Sequence, residues 1–206
     1  MELLLIRHAL PVRHRGGTDG PDPDLSDDGI AQARLLAGYL ASERLDAVYS
    51  SPLRRALQTA APIIEHRSLA VAIDDDIAEW DDGTEEYVPI EELKASGDPR
   101  WATYRDGSLD STAEDFGVFA ARIVAAVGDL IDAHPSQRIA VVCHGMVINA
   151  FLASVLGLTI SSAFFYPNYT SIHRVAAARS GERSIVTMNE TAHLRGSGLP
   201  IGLFQR

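Results

Sequence analysis

Two unbroken apolar runs, LLLI at Leu3–Ile6 and IAVVC at Ile139–Cys143, constrain this chain more than any other feature. Neither alternates with polar residues, so each must be covered on both faces. That is the condition of a strand inside a mostly parallel sheet with helices on either side. Each run also ends in an ionisable side chain: Arg7-His8 follows the first and His144-Gly145 the second.

Between these runs, strand and helix signals alternate. Ser26 is placed to cap a helix carrying Ile30, Ala33, Leu36, Ala37 and Leu40 at helical spacing, with Asp27 and Asp28 in its first turn. AVYSS (Ala47–Ser51) reads as a strand, and Ser51-Pro52 as the opening of a helix through LRRALQTAAPII that ends or kinks near Pro62. LAVAI (Leu69–Ile73) is a third strand. An excursion covering roughly residues 74–111 follows, predominantly acidic and with one short helical signal at Pro89–Leu93. A long helix is expected from Thr112 to Ala133, then the strand ending at Cys143, a helix from Met146 to Leu156, and a final strand pair around Ser180-Gly181. The whole, residues 1–206, is expected to be one α/β unit with the excursion as its cap.

In a parallel sheet, ligands collect beyond the carboxyl ends of the strands. Arg7, His8 and His144 stand at such ends, and Arg54 lies in the first turn after another strand. Guanidinium groups match phosphate oxygens with fixed donor forks, and neutral imidazole is a nucleophile. The set therefore points to an oxyanion site, on a chain whose formal net charge of -10 argues against nucleic acid or an anionic membrane as partner. The single cysteine, Cys143, excludes an intrachain disulfide and a thiolate cluster. With no signal-peptide pattern and no apolar run of spanning length, a cytoplasmic protein is expected.

IRHA, LSDDGIAQA, SSPLRRALQTA, the acidic residue Glu79 and VVCHGMVINA occur in an order that resembles the histidine phosphatase (phosphoglycerate mutase-like) superfamily. The resemblance covers the chain from Leu3 to about Asn149 and implies a three-layer α/β/α sandwich. It implies His8 as the phosphorylated nucleophile, with Arg7, Arg54 and His144 on the phosphoryl group. Glu79 is implied as the general acid, with Asp81 and Asp82 close enough to compete. His14 and Asn168 are candidate substrate-lining residues, and Arg55 is expected to face solvent or a carboxylate. No metal and no cofactor are implied.

The expected activity is a metal-independent phosphomonoesterase acting on a small-molecule phosphate ester; a homodimer is left open. A mutase-type phosphotransferase and a non-catalytic phospho-ligand binder are the alternatives. The chain departs from the family pattern at Ala9, where the family usually has glycine, and at Pro11 and His14, where it often has a hydroxyl residue and asparagine. A methyl at Ala9 would strain a backbone that needs positive φ.

Overall fold

A computed structural model describes residues 1–15, 22–80, 86–106 and 114–203, the side chains at 14–15 and 103–106 aside. Its main sheet has six strands. They are β1 (Glu2–Arg7), β3 (Ala47–Ser50), β4 (Val71–Ile73), β6 (Arg138–Cys143), β7 (Ile172–Ala177) and β8 (Arg183–Glu190), in the order β4-β3-β6-β1-β7-β8. A small second sheet pairs β2 (His14–Arg15) with β5 (Glu86–Tyr87). The pairings β1–β6, β3–β6 and β3–β4 are parallel, whereas β7 and β8 run antiparallel.

The two apolar runs lie side by side at the centre, and their alternate residues fill two separate cores. Leu3, Leu5, Ile139 and Val141 pack with the helices α5 (Phe116–Ala133) and α6 (Gly145–Leu156). Leu4, Ile6, Ala140 and Val142 pack with α1 (Asp27–Leu40) and α2 (Arg54–Ile64). Two apolar faces covered by two helical layers make the three-layer α/β/α sandwich. Among the described residues no helix is long and apolar enough to cross a membrane.

Several local expectations shift. Ser26 does cap α1, accepting from the Gly29 amide, but Ile30 is exposed; the buried face runs through Gly29, Gln32, Ala33, Leu36 and Leu40. Gly29 is there because α1 crosses the first loop closely: a Cβ on it would lie 2.1 Å from the Leu10 carbonyl oxygen. That oxygen also accepts from the Ser26 amide and hydroxyl, which pins the loop after His8 to the helix. Helix α2 begins after Leu53 rather than Ser51 and runs past Pro62 to Ile64. In the excursion, the described part holds a 3-10 turn (Asp75–Ile77), β5, the expected short helix α3 (Ile90–Ser96), and a helix α4 (Pro99–Asp106) that the sequence pattern did not announce.

Candidate active site

The parallel register of β1 and β6 sets Arg7 opposite Cys143, so the next residues, His8 and His144, leave the sheet together. Their rings lie 5.2 Å apart and both are buried. The His8 amide donates to the Cys143 carbonyl at 2.9 Å, which extends the ladder one step and fixes the ring's origin. His8 Nδ1 is 2.7 Å from the Ala9 carbonyl oxygen. A carbonyl can only accept, so Nδ1 carries the proton and Nε2 keeps its lone pair in the neutral ring. Burial, then the charges of Arg55 and Arg7, hold the His8 pKa well below the usual histidine range.

His144 caps α6 by position, and its Nε2 lies 2.7 Å from Ser51 Oγ. Its Nδ1 is buried, with no hydrogen-bond partner among the described residues. Burial first, then Arg55, His8 and Arg7, keep this ring neutral too.

Arg7 is gripped by the loop that precedes β7. Its Nη1 donates to the Pro167 carbonyl at 2.6 Å, and its guanidinium lies 4.3 Å from the Tyr169 ring centre and 5.0 Å from that of Tyr166. Burial opposes its charge, but Tyr166, Tyr169 and Glu91 outweigh it, so Arg7 stays a cation. Its Nε has no hydrogen-bond partner among the described residues.

Glu79 approaches the same place from the excursion. Its Oε2 accepts from the Met146 amide in the first turn of α6, at 3.0 Å, and its Oε1 from the Trp80 amide at 2.9 Å. The amino end of α6 is thus met by the Glu79 carboxyl group. A Cβ on Gly145 would stand 3.9 Å from Arg7 Nε and 4.0 Å from Glu79 Oε2, so both groups border one small space at the start of that helix.

Of the two neighbouring arginines of α2, it is Arg55 and not the expected Arg54 that lies in the cluster, although Arg55 does meet a carboxylate as expected, Asp22 Oδ1 at 4.0 Å. Arg54 is half exposed, with ion pairs of 3.7 Å to both Asp22 and Asp24, and is not part of the cluster. Arg55 is 1% exposed; it faces Tyr87, with 4.8 Å between guanidinium and ring centre, and acts electrostatically on both histidines. Helix geometry explains the swap: Arg55 shares the buried face with Thr59 and Ile63, four and eight residues on, whereas Arg54 turns outward. The amino end of α2 is itself occupied by Asp22, which accepts from the Arg54 amide at 2.8 Å.

Ala9 is fully buried against Leu25 and Ala33, and its amide donates to Thr59 Oγ1. Among the described residues the non-glycine positive-φ positions are Ser136, Thr170 and Asn189, so Ala9 is unstrained. Asn168 is turned toward the C-terminal segment: a Cβ on Gly202 would meet its Oδ1 at 2.8 Å. The His14 side chain and residues Asp81 and Asp82 lie outside the described residues. Sequence reasoning missed Arg55, Ser51, Tyr166 and Tyr169. A helical wheel through Ala56, Ala60 and Ile63 would have caught the first.

Beside the cluster lies a cleft of about 750 Å³, lined among others by Leu10, Pro11, Glu91, Lys94 and Tyr169. Tyr169 joins the two, since its ring centre is 6.1 Å from that of His8. Burial, and then the charge of Arg7, also lower the pKa of His173, to about 3.

These buried neutral histidines have a consequence for stability. Their folded pKa values are depressed, so the stability they contribute is present above pH ~6.5 and is lost as pH falls toward the folded values. Each such group costs about 1.4 kcal/mol per pH unit in that window. The urea midpoint of the ligand-free protein should drop steadily from pH 7 to pH 4.5, and inorganic phosphate should offset part of the drop by stabilising charged His8 and His144. A flat midpoint would contradict this.

Residues 3–191 match the family model of the histidine phosphatase superfamily, branch 1. Phosphoserine phosphatase 1 of Hydrogenobacter thermophilus is 31% identical over 202 residues, covering 94% of each chain. A mutant phosphoserine phosphatase from Entamoeba histolytica, in complex with phosphoserine, superposes with a TM-score of 0.73 at 27% identity, over 94% of this chain and 98% of that one. YhfR of Bacillus stearothermophilus shares the fold at a TM-score of 0.78 and 22% identity, over 94% and 99% of the two chains.

Proposed function

Because this chain belongs to the histidine phosphatase superfamily and is a phosphatase, we propose that it hydrolyses small phosphate monoesters through a phosphohistidine at His8. The single observation that carries this reading is the His8 ring, held with Nδ1–H on the Ala9 carbonyl and Nε2 unprotonated beside two buried guanidiniums.

The phosphoryl group of the ester would sit between Arg7, Arg55 and the open nitrogen of His144. Arg55 takes the role that the sequence gave to Arg54. The arriving dianion raises the pKa of His144, so its Nδ1 becomes a donor to a phosphoryl oxygen. Nε2 of His8 forms a bond to phosphorus while the P–O bond to the leaving group breaks. The departing alkoxide takes a proton from the Glu79 carboxyl. The amides of Trp80 and Met146, one on each Glu79 oxygen, hold the carboxyl group in place at the amino end of α6 for this transfer. A water then attacks phosphorus as Glu79 takes up its proton, the P–N bond breaks, and inorganic phosphate leaves with His8 restored. The chain's own cations neutralise the transferring group in this scheme, so turnover should survive a chelator.

Phosphoserine is the first ester to test, since the Hydrogenobacter relative is named for it and the Entamoeba enzyme binds it. The cleft beside Tyr169 is where its leaving group would lie.

Glu79→Gln tests the acid. An alkyl ester such as phosphoserine should lose roughly 10²–10⁴ in rate, the ordinary worth of a general acid. p-Nitrophenyl phosphate, whose leaving group needs no proton, should lose about tenfold or less. Equal losses would move the acid elsewhere, to Asp81 or Asp82 first.

A further inference from the structure

We propose that Glu91, on the excursion's helix α3, is a positioning residue that sets the Arg7 guanidinium through Tyr166 and Tyr169. The inference rests on the reading of Arg7 as a phosphate donor. Tyr166 and Tyr169 come from the loop between α6 and β7, and Glu91 comes from a segment some 75 residues earlier. The Tyr166 hydroxyl donates to Glu91 Oε1 at 2.9 Å and the Tyr169 hydroxyl to Glu91 Oε2 at 2.7 Å. One carboxylate therefore holds both rings, and the same two rings flank Arg7 at 5.0 and 4.3 Å.

An aromatic ring orients a cation only while the ring itself is held. Tyr169 is buried, and its hydroxyl loses an acceptor without Glu91. A buried hydroxyl without a partner is costly, so the ring would turn to find one. Arg7 has its Nη1 fixed by the Pro167 carbonyl, but the direction of its remaining donors depends on those two walls. Glu91 also lines the cleft beside the site, so the excursion meets both the leaving-group space and the phosphate donor at one residue. The excursion treats the second guanidinium in a parallel way, with Tyr87 over Arg55.

A purely electrostatic role for Glu91 makes the opposite prediction to a positioning role. A carboxylate near an anion site repels the anion, so any neutral replacement should then tighten phosphate. For positioning, what matters is the fork. Glutamine preserves it, accepting from one hydroxyl through Oε1 and donating to the other oxygen through Nε2, while alanine abolishes it.

The experiment is calorimetric titration with inorganic phosphate, with kcat and KM for p-nitrophenyl phosphate measured alongside. The proteins are wild type, Glu91→Gln, Glu91→Ala, the Tyr166→Phe/Tyr169→Phe double variant and that pair combined with Glu91→Ala. Glu91→Ala should weaken phosphate binding about tenfold, the scale of losing hydrogen bonds to a charged group. Glu91→Gln should stay within about twofold, since its two hydrogen bonds survive. The double phenylalanine variant, which frees both rings from their tether to Glu91, should match the alanine loss, with circular dichroism and the melting temperature of every variant taken alongside to establish that it folds. Adding Glu91→Ala to it should then cost nothing more.

The inference is overturned if Gln and Ala behave alike, if either tightens phosphate, or if the losses add. It is also overturned if Glu91→Ala lowers only the melting temperature. Arg7→Ala separates the two readings. If it abolishes phosphate binding while the Glu91 series fails, only the Glu91 link falls; if it leaves binding intact, the phosphate-site reading falls with it.

Discussion

Replacing His8 by alanine should abolish phosphate release, by at least on the order of 10³-fold, while the protein still folds and still binds inorganic phosphate. The expectation follows from what His8 does and what it does not do. In the proposed mechanism it supplies the electron pair that attacks phosphorus, and among the described residues no other group in the cluster offers an unprotonated nitrogen with its second nitrogen fixed by a backbone acceptor. Phosphate binding is proposed to depend instead on the two guanidiniums, which the substitution leaves in place. The His8 backbone also remains tied to Cys143 and Thr170, so the strand end keeps its path. Circular dichroism and phosphate calorimetry on the variant separate loss of chemistry from loss of fold. Substantial residual turnover with the fold intact would remove His8 from the mechanism.

Arg55→Ala should lose roughly 10²–10³ in kcat/KM, the scale of deleting one donor aimed at developing charge. Arg54→Ala, one residue away, should change activity by about twofold or less, because exposed pairs such as those with Asp22 and Asp24 contribute little. The contrast is a test of burial, since the two side chains have identical chemistry. A second readout goes with it. Arg55 is the charge that most depresses both His8 and His144 after burial itself. Its removal lets those pKa values rise, so the acidic limb of the pH–rate profile should move to higher pH in Arg55→Ala. Arg55→Lys keeps the charge and should leave the limb in place while losing rate, because an ammonium lacks the bidentate fork. If Arg54→Ala is the damaging substitution, the phosphate clamp has been assigned to the wrong residue.

The comparison of these two arginines also shows how far the sequence could be read. The central pair of strands was legible because an unbroken apolar run has only one comfortable home, covered on both sides, and the register of β1 on β6 then brings His8 and His144 together. The carboxylate at Glu79 was legible by order along the chain. Arg54 and Arg55 were not separable by their chemistry, because adjacency conceals which face of a helix each residue takes. The apolar spacing of Ala56, Ala60 and Ile63 held that information. The aromatic walls around Arg7 were beyond reach for a different reason. Tyr166 and Tyr169 lie some 160 residues from it along the chain, and only the packing of the β7 approach against β1 brings them to the guanidinium. Likewise, the doubt over Ala9 concerned a dihedral angle, which no residue type reports by itself.

The most direct test of the central claim is to stop p-nitrophenyl phosphate turnover in strong alkali within its first cycles and weigh the peptide that contains His8. The account predicts that peptide heavier by one phosphoryl group, a modification that survives base, vanishes in mild acid and is absent from His8→Ala. Rapid turnover with the His8 peptide unmodified, or the phosphoryl group found on another residue, would contradict it.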